Sequence, residues 1–169
     1  MVALGANHTV VLSTANEVYI WGRNNCGQLG TPSSTIAMTH VPQRVEFDPG
    51  QPIRAKAVAA AGDVTAIITL AGEILIWGSN KESLLGVPDT ALSSSHRPQC
   101  IRLPFGMQAT AIVLDVRRAA VITNIRQVYC WGVLIDEPLL ADDLQMQEST
   151  IEPLLVQLPP GIAVRAVAL

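Results

Sequence analysis

Short runs of β-branched and other apolar residues, separated by turn residues, make up most of the chain. Thr9–Ser13 and Val18–Trp21 are two such runs, and the four residues between them include an asparagine. The corresponding connection at 70–73 carries a glycine instead, and Gly and Asn best tolerate the positive φ of a tight hairpin. A helix would need ten-residue segments with apolar residues three and four apart, which are not apparent. The pattern therefore predicts β-hairpins.

This pattern recurs three times with a period of about 55 residues. Trp21, Trp77 and Trp131 are each followed by glycine, and the run Val-Ala-Leu that opens the chain aligns with 58–60, 112–114 and 167–169. A further apolar run follows a proline, at 44–47 and 100–103. Four short strands in each unit are typical of a propeller blade. The sequence predicts an all-β fold, a partial β-propeller of about three four-stranded antiparallel blades.

The repeat also predicts the division of the chain. The units are 1–56, 57–110 and a degenerate third unit at 111–165, with 166–169 as the start of a further one. Unpaired strands at the ends of an open arc invite association. We therefore expect the edges to be closed by the rest of a larger protein, by another copy or by another subunit.

The first unit resembles the repeat of the regulator of chromosome condensation family. Residues 5–13 read GANHTVVLS and residues 18–30 read VYIWGRNNCGQLG. The family pattern is G-x-x-H-T-x-x-L-T, then V-Y-x-W-G-x-N-x-x-G-Q-L-G. The resemblance implies an arc of a seven-bladed propeller and weakens along the chain, with Val64 and Arg118 in place of the histidine. Its structural positions are Trp21, Gly22, Trp77, Gly78, Trp131, Gly132, His8, Gly27, Gly30 and Gly86.

Composition excludes several classes of protein. Hydrophobic residues are 49 % and charged residues 15 %, which a disordered tail would not have. The net charge of −3 argues against direct binding of nucleic acid, and the apolar runs are too short to insert in a membrane. Three cysteines without a C-x-x-C pair indicate a reducing compartment, so we expect an intracellular protein of the cytoplasm or nucleus.

The candidate polar residues are interpreted as structural and not as catalytic. His8 is interpreted as part of the repeat, although a histidine in a strand can also act as a base or a ligand. His40 and His96 share the context His-x-Pro-Gln and are interpreted as loop histidines, with a shared metal as the alternative. Cys26, Cys100 and Cys130 have no assignable base. The sequence thus predicts no catalytic residue, no metal and no cofactor.

An acidic stretch in the third unit is the candidate partner-binding region. Between 134 and 153 there are six acids and neither lysine nor arginine. The alternative is a solvated loop, whereas the functional interpretation is a field that steers a basic partner. The six residues are Asp136, Glu137, Asp142, Asp143, Glu148 and Glu152.

Three functions remain open. The leading hypothesis is a non-catalytic protein-binding scaffold within a larger regulatory protein, because the resemblance includes ubiquitin-ligase, kinase-associated and GTPase-regulating proteins. The resemblance also implies an alternative, nucleotide exchange on a small GTPase of the Ran type. A third hypothesis is an inhibitor that occludes a basic site with the acidic stretch. The partner is accordingly expected to be a protein, such as a small GTPase or a component of the ubiquitin pathway.

Overall fold

The computed structural model describes residues 1–31, 36–48, 51–87, 92–133, 149–159 and 164–167. These residues form three four-stranded antiparallel sheets and one two-stranded ribbon. The one helical element among them is a 3-10 turn at Pro104–Gly106. No helix of this part of the chain has the length and apolar character needed to span a membrane.

Each sheet follows the order of the sequence. Blade 1 contains β1 (Val2–Leu4), β2 (His8–Leu12), β3 (Val18–Arg23) and β4 (Met38–Arg44), and the ribbon of β5 (Glu46–Asp48) and β6 (Gln51–Pro52) follows it. Blade 2 contains β7 (Ala55–Ala61), β8 (Val64–Thr69), β9 (Ile74–Ser79) and β10 (Ser94–Ile101). Blade 3 contains β11 (Ala109–Leu114), β12 (Arg118–Thr123), β13 (Val128–Val133) and β14 (Ser149–Leu155).

The three sheets stack in the manner of a propeller. The first strands of neighbouring blades, β1 with β7 and β7 with β11, lie against each other and form the inner edge of the arc. The prediction of an all-β arc of about three four-stranded blades is confirmed. Turns between the first and second strands, together with the described ends of the connections between the third and fourth strands, lie at one end, here called the loop face. Hairpins between the second and third strands and links between blades form the opposite hairpin face.

The predicted hairpins are present, with left-handed residues where the turns need them. Asn16 has a φ of 62° and Gly72 a φ of 88°. The third hairpin places Arg126 in the same conformation, with a φ of 62°. Because the turn is fixed by strand register on both sides, it tolerates a residue that sequence reasoning would not choose there.

The fourth strands differ from the sequence prediction. The strands expected at 44–47 and 100–103 were placed too late, since β4 and β10 begin before their prolines and end at Arg44 and Ile101. Their register against the third strand is interrupted around Pro42 and Pro98. A proline is acceptable there because the outermost strand carries a bulge and needs no donor on its solvent side.

The core lies between blades. One apolar cluster joins blades 1 and 2 through Val10, Ile20, Leu29 and Trp77, and a second joins blades 2 and 3 through residues such as Trp131. The second strand of blade 1 alternates between buried and half-buried residues, whereas β8 and β12 are buried on almost every residue. Blade 1 therefore buries one face only. The repeat bounds 1–56, 57–110 and 111–165 stay a prediction.

The uncovered face of blade 1 is called the leading flank. Its residues correspond in the repeat to those with which blade 2 contacts blade 1. Val2 and Leu4 are 64 % and 69 % exposed, and Trp21 is half-buried, while its counterparts Trp77 and Trp131 are fully buried. Of the predicted start of a fourth unit at 166–169, residues 168 and 169 lie outside the described residues, and 164–167 carry no strand.

Candidate functional site

The polar groups between blades 1 and 2 form one connected network. The Trp77 indole N–H donates to the main-chain carbonyl of Gln28 at 2.9 Å, and the Thr65 hydroxyl donates to the same carbonyl at 2.8 Å. His8 Nε2 lies 2.8 Å from Thr65 Oγ1. Because the threonine proton is already directed to Gln28, this network assigns the His8 proton to Nε2 as the donor.

His8 is consequently a neutral, packed residue. Its other ring nitrogen, Nδ1, is buried and has no hydrogen-bond partner among the residues that the structure describes. Burial lowers the pKa of His8 to about 4, against a smaller raising effect of the nearby Asp63 carboxylate. A histidine enclosed in this way is not available as a solvent-accessible base or ligand, which favours the interpretation of His8 as part of the repeat.

At the interface between blades 2 and 3 the tryptophan bond recurs, whereas apolar residues stand in place of the threonine and the histidine. The Trp131 indole N–H donates to the main-chain carbonyl of Leu84 at 2.8 Å. Ala119 stands where blade 2 has Thr65, so that no second donor reaches this carbonyl from within the described residues. Val64 replaces the histidine. The second interface is therefore more apolar than the first.

At the loop face the two interfaces also differ in charge. The amide nitrogen of Gln28 donates to Asp63 at 2.9 Å, and Cys26 Sγ lies 3.9 Å from the same carboxylate. At the next interface Arg117 and Glu82 form an ion pair at 4.0 Å. Burial and the Asp63 carboxylate raise the pKa of the Cys26 thiol. The thiol is thus held in its protonated, weakly nucleophilic form.

The glycine after each tryptophan is required by close approach of the neighbouring strand. A Cβ on Gly22, Gly78 or Gly132 would lie 2.3, 2.1 or 2.4 Å from a main-chain carbonyl oxygen, and all three residues have positive φ. These glycines lie where the third strand passes the bulge of the fourth. The Trp-Gly pair therefore fixes both the blade contact and the bulge. Other glycines of the repeat, Gly27, Gly30 and Gly86, also have positive φ.

Two asparagines that the sequence analysis did not single out hold the connections of the loop face. Asn24 accepts a bond from the Leu29 N–H at 3.0 Å and donates to the carbonyl of Ile36 at 2.8 Å. Asn80 repeats both bonds, with the N–H of Leu85 and the carbonyl of Leu92. Their identical position in the repeat was the available signal. In each of these two connections, the asparagine joins a described residue early in the connection to one near its end.

The acidic candidates fall largely outside the described part of the chain. These are Asp136, Glu137, Asp142, Asp143 and Glu148, and their role stays a prediction. Glu152 is described and is exposed in β14. It lines a groove of about 410 Å³ together with Gly86, Arg102 and Pro104.

The histidines of the shared His-x-Pro-Gln context were placed wrongly in loops. His40 lies exposed in β4 and His96 half-buried in β10, each beside the bulge that its proline creates. The part of the chain that the structure describes contains no group of three metal-ligating side chains. Cys26, Cys100 and Cys130 are free cysteines. Burial also raises the pKa of Cys130.

The fold and the repeating Trp-Gly interface define the class of protein: a segment of a β-propeller. Family models for the regulator of chromosome condensation (RCC1) repeat match residues 16–68 and 2–28. The chain therefore carries repeats of the RCC1 family, as the resemblance in the first unit predicts.

Curated relatives contain the same region within longer proteins. The chain is 41 % identical over 131 residues to the human protein named probable E3 ubiquitin-protein ligase HERC4, which covers 78 % of this chain and 12 % of the human protein. It is 26 % identical to the mouse RCC1 domain-containing protein 1, over 76 % of this chain and 42 % of that protein. The chain thus spans only a small part of the ligase that it resembles.

Solved structures share the fold. Human WBSCR16 superposes with a TM-score of 0.75 and 23 % identity, over 93 % of this chain and 37 % of that one. Prp20p of Saccharomyces cerevisiae superposes with a TM-score of 0.72 and 19 % identity, over 93 % of this chain and 38 % of that one. The structure of Prp20p was described together with its binding to Gsp1p and histones. At this identity the likeness concerns the fold alone.

Proposed function

We propose that this chain is a protein-binding propeller segment of a larger regulatory protein. The supporting observation is the pair of inter-blade tryptophan bonds, which join the three blades into one support. Asn24 and Asn80 bond the described ends of two long connections of the loop face at Ile36 and Leu92. Rigid strands that position variable connections are the usual arrangement of a recognition surface.

A non-catalytic role is part of this proposal. The polar groups most suited to chemistry are already used in packing: His8 is buried and neutral, and the Cys26 thiol is held protonated beside Asp63. Catalysis requires such groups to reach a substrate in a suitable protonation state. These residues hold the blades together instead.

The ubiquitin pathway is the context that the proposal favours. Its support is the 41 % identity to a protein named as a probable ubiquitin ligase. We place the chain inside the cell, in the cytoplasm or nucleus, which agrees with three free cysteines. In that setting the propeller segment recognises a protein, and another part of a longer protein performs the chemistry.

The acidic stretch is the proposed region of first encounter. Its carboxylates give a negative field that accelerates association with a basic protein surface. If the stretch steers a partner, the association rate should fall steeply with added salt. The inhibitor hypothesis uses the same residues and differs in requiring that the partner's own activity be blocked.

Nucleotide exchange is tested against the scaffold role with a defined probe. Ran loaded with a fluorescent GDP is mixed with the full chain, and release of the nucleotide is followed by fluorescence. We expect an unchanged rate of release, because a scaffold binds without displacing nucleotide. Accelerated release that is proportional to the concentration of the chain would replace the scaffold with the exchange function.

A separate experiment tests the steering role of the acidic stretch. A protein partner identified by crosslinking is titrated with the wild-type chain and with the double variant Asp142→Lys, Asp143→Lys. We expect at least a tenfold slower association at low salt and little difference at high salt. Equal association rates at low salt would contradict the steering role.

A further inference from the structure

The link between blades 2 and 3 carries a phenylalanine that projects from the hairpin face. Phe105 is the middle residue of the turn Pro104–Gly106 and is 97 % exposed. A Cβ built on the adjacent Gly106 would meet nothing within 4 Å, so the turn extends into open space. An aromatic side chain in this position contributes nothing to the core of the propeller.

The backbone of this turn also disfavours phenylalanine. Phe105 has a φ of 55° and a ψ of 24°, a left-handed conformation that is unusual for a bulky residue. At the corresponding sequence positions the first and third units have Pro49 and Pro160, each also followed by glycine. The repeat thus does not need an aromatic residue here. Residues kept in sparsely populated conformations concentrate at functional sites.

The surroundings of the turn have the features of a contact surface. Arg102 is exposed and makes no ion pair with any residue that the structure describes. The segment 100–103 lies between two open grooves of about 410 and 370 Å³. Leu103 and Met107 flank the turn and are half-buried; Leu103 lines both grooves, and Met107 lines the second. Aromatic residues and arginine are enriched among the few residues that contribute most of the binding energy of an interface.

We propose that Phe105 is the anchor of a protein-binding surface on the hairpin face. It inserts into an apolar pocket of a protein partner, and a carboxylate at the rim of that pocket pairs with Arg102. The two grooves receive partner side chains on either side. This inference deepens the proposed function and rests on it, since both require a protein partner, and it assigns the contact to the hairpin face.

The charges near the turn favour a protein over a lipid surface. Glu152 lines the first groove and Glu73 lines the second, so that a carboxylate lies on each side of the turn. An anionic bilayer would be repelled by both, and a single aromatic residue with one arginine anchors weakly. A folded partner can place its own charges to match this mixed pattern.

The experiment uses the full chain with a photo-crosslinking amino acid, benzoylphenylalanine, in place of Phe105 in cells. The matched control carries it in place of Ile125, which is 57 % exposed in a hairpin of the same face. We expect a crosslinked protein that is specific to position 105. That protein is then identified, purified and titrated with the wild-type chain and its variants.

The expected result is a loss of at least about 30-fold in affinity for Phe105→Ala, the size typical of an interface hot spot. Arg102→Glu should weaken binding, and reversing the paired carboxylate of the partner should restore it. Ile125→Ala should bind as the wild type does. Phe105→Asn should match or exceed the melting temperature of the wild type, because asparagine tolerates the left-handed turn. A loss of binding by Phe105→Asn would then not be a result of unfolding.

Several results would overturn the inference. Unchanged affinity of Phe105→Ala for a protein that binds the chain would remove the role of Phe105 and leave the proposed function intact. Phe105-dependent binding to vesicles of phosphatidylserine and phosphatidylcholine would replace the protein with a membrane. If no protein binds the full chain, both the inference and the proposed function fail.

Discussion

A single histidine couples the first blade interface to pH. His8 is 4 % exposed and donates through Nε2 to Thr65, and its Nδ1 has no partner in the described part of the chain. Its pKa is lowered from 6.5 to about 4, mainly by burial. Since protonation is easier in the unfolded chain, acid favours unfolding. The contribution of neutral His8 to the stability is therefore fully present above pH 6.5 and is lost as the pH falls toward 4.

Replacing His8 should therefore flatten the acid dependence of stability. We expect the wild type to lose about 2 kcal/mol of unfolding free energy between pH 7 and pH 4.5 from this group. His8→Val, which introduces the residue that the second unit has at Val64, should remove most of that loss. The measurement is urea unfolding at both pH values, with the exposed His40→Val as control. An equal loss in wild type and His8→Val would disprove the coupling.

Among the elements, the third strand and its tryptophan determine how blades join. The carbonyl of Gln28 accepts from both Trp77 and Thr65, whereas the carbonyl of Leu84 accepts from Trp131 alone among the described residues. Both carbonyls belong to buried residues. A buried acceptor that loses its single donor costs about 1–3 kcal/mol, and one that keeps a second donor costs less.

This asymmetry predicts different effects of the same substitution. Trp131→Phe should lower the unfolding free energy more than Trp77→Phe, by about 1 kcal/mol or more, although both remove the same atoms. Denaturant unfolding of the two variants measures the difference.

A compensating change tests the reason. Ala119→Thr places a hydroxyl where Thr65 lies in blade 2, so it should restore part of the stability of Trp131→Phe. Equal destabilisation by the two tryptophan variants, without rescue by threonine, would show that the carbonyl bonds do not distinguish the interfaces.

For the whole molecule, the leading flank of blade 1 is the open end of the arc. Val2 and Leu4 are exposed there, whereas Ala120 and Ile122, on the far side of blade 3, are 0 % and 4 % exposed. Two open ends were expected from the repeat, but the described residues leave this one flank uncovered. Association of two copies would therefore use the leading flank of each.

We expect the isolated chain to dimerise through this flank as its concentration rises. Leu4→Glu should shift the sedimentation equilibrium toward the monomer, because a charge would be buried in the contact. Val41→Glu is the control, since Val41 is 64 % exposed on the outermost strand of the same blade. A monomeric wild type at high concentration, or equal effects of both variants, would contradict association through the leading flank.

The sequence determined the repeat, the hairpins and the tryptophan positions, because short-range alternation and turn residues such as Asn16 and Gly72 act locally. The motif includes His8, which is the first residue of β2. It could not place the outer strands, since the bulges around Pro42 and Pro98 depend on the strand that lies alongside.

The tertiary structure decided the rest. Contacts between residues about 50 apart in sequence decide which carbonyl each indole reaches and which nitrogen of His8 donates. They also decide which flank of the arc stays open. Phe105 illustrates the limit most clearly. In the sequence it is one more apolar residue before a glycine, and only the folded chain shows that its side chain is exposed and packs in neither apolar cluster.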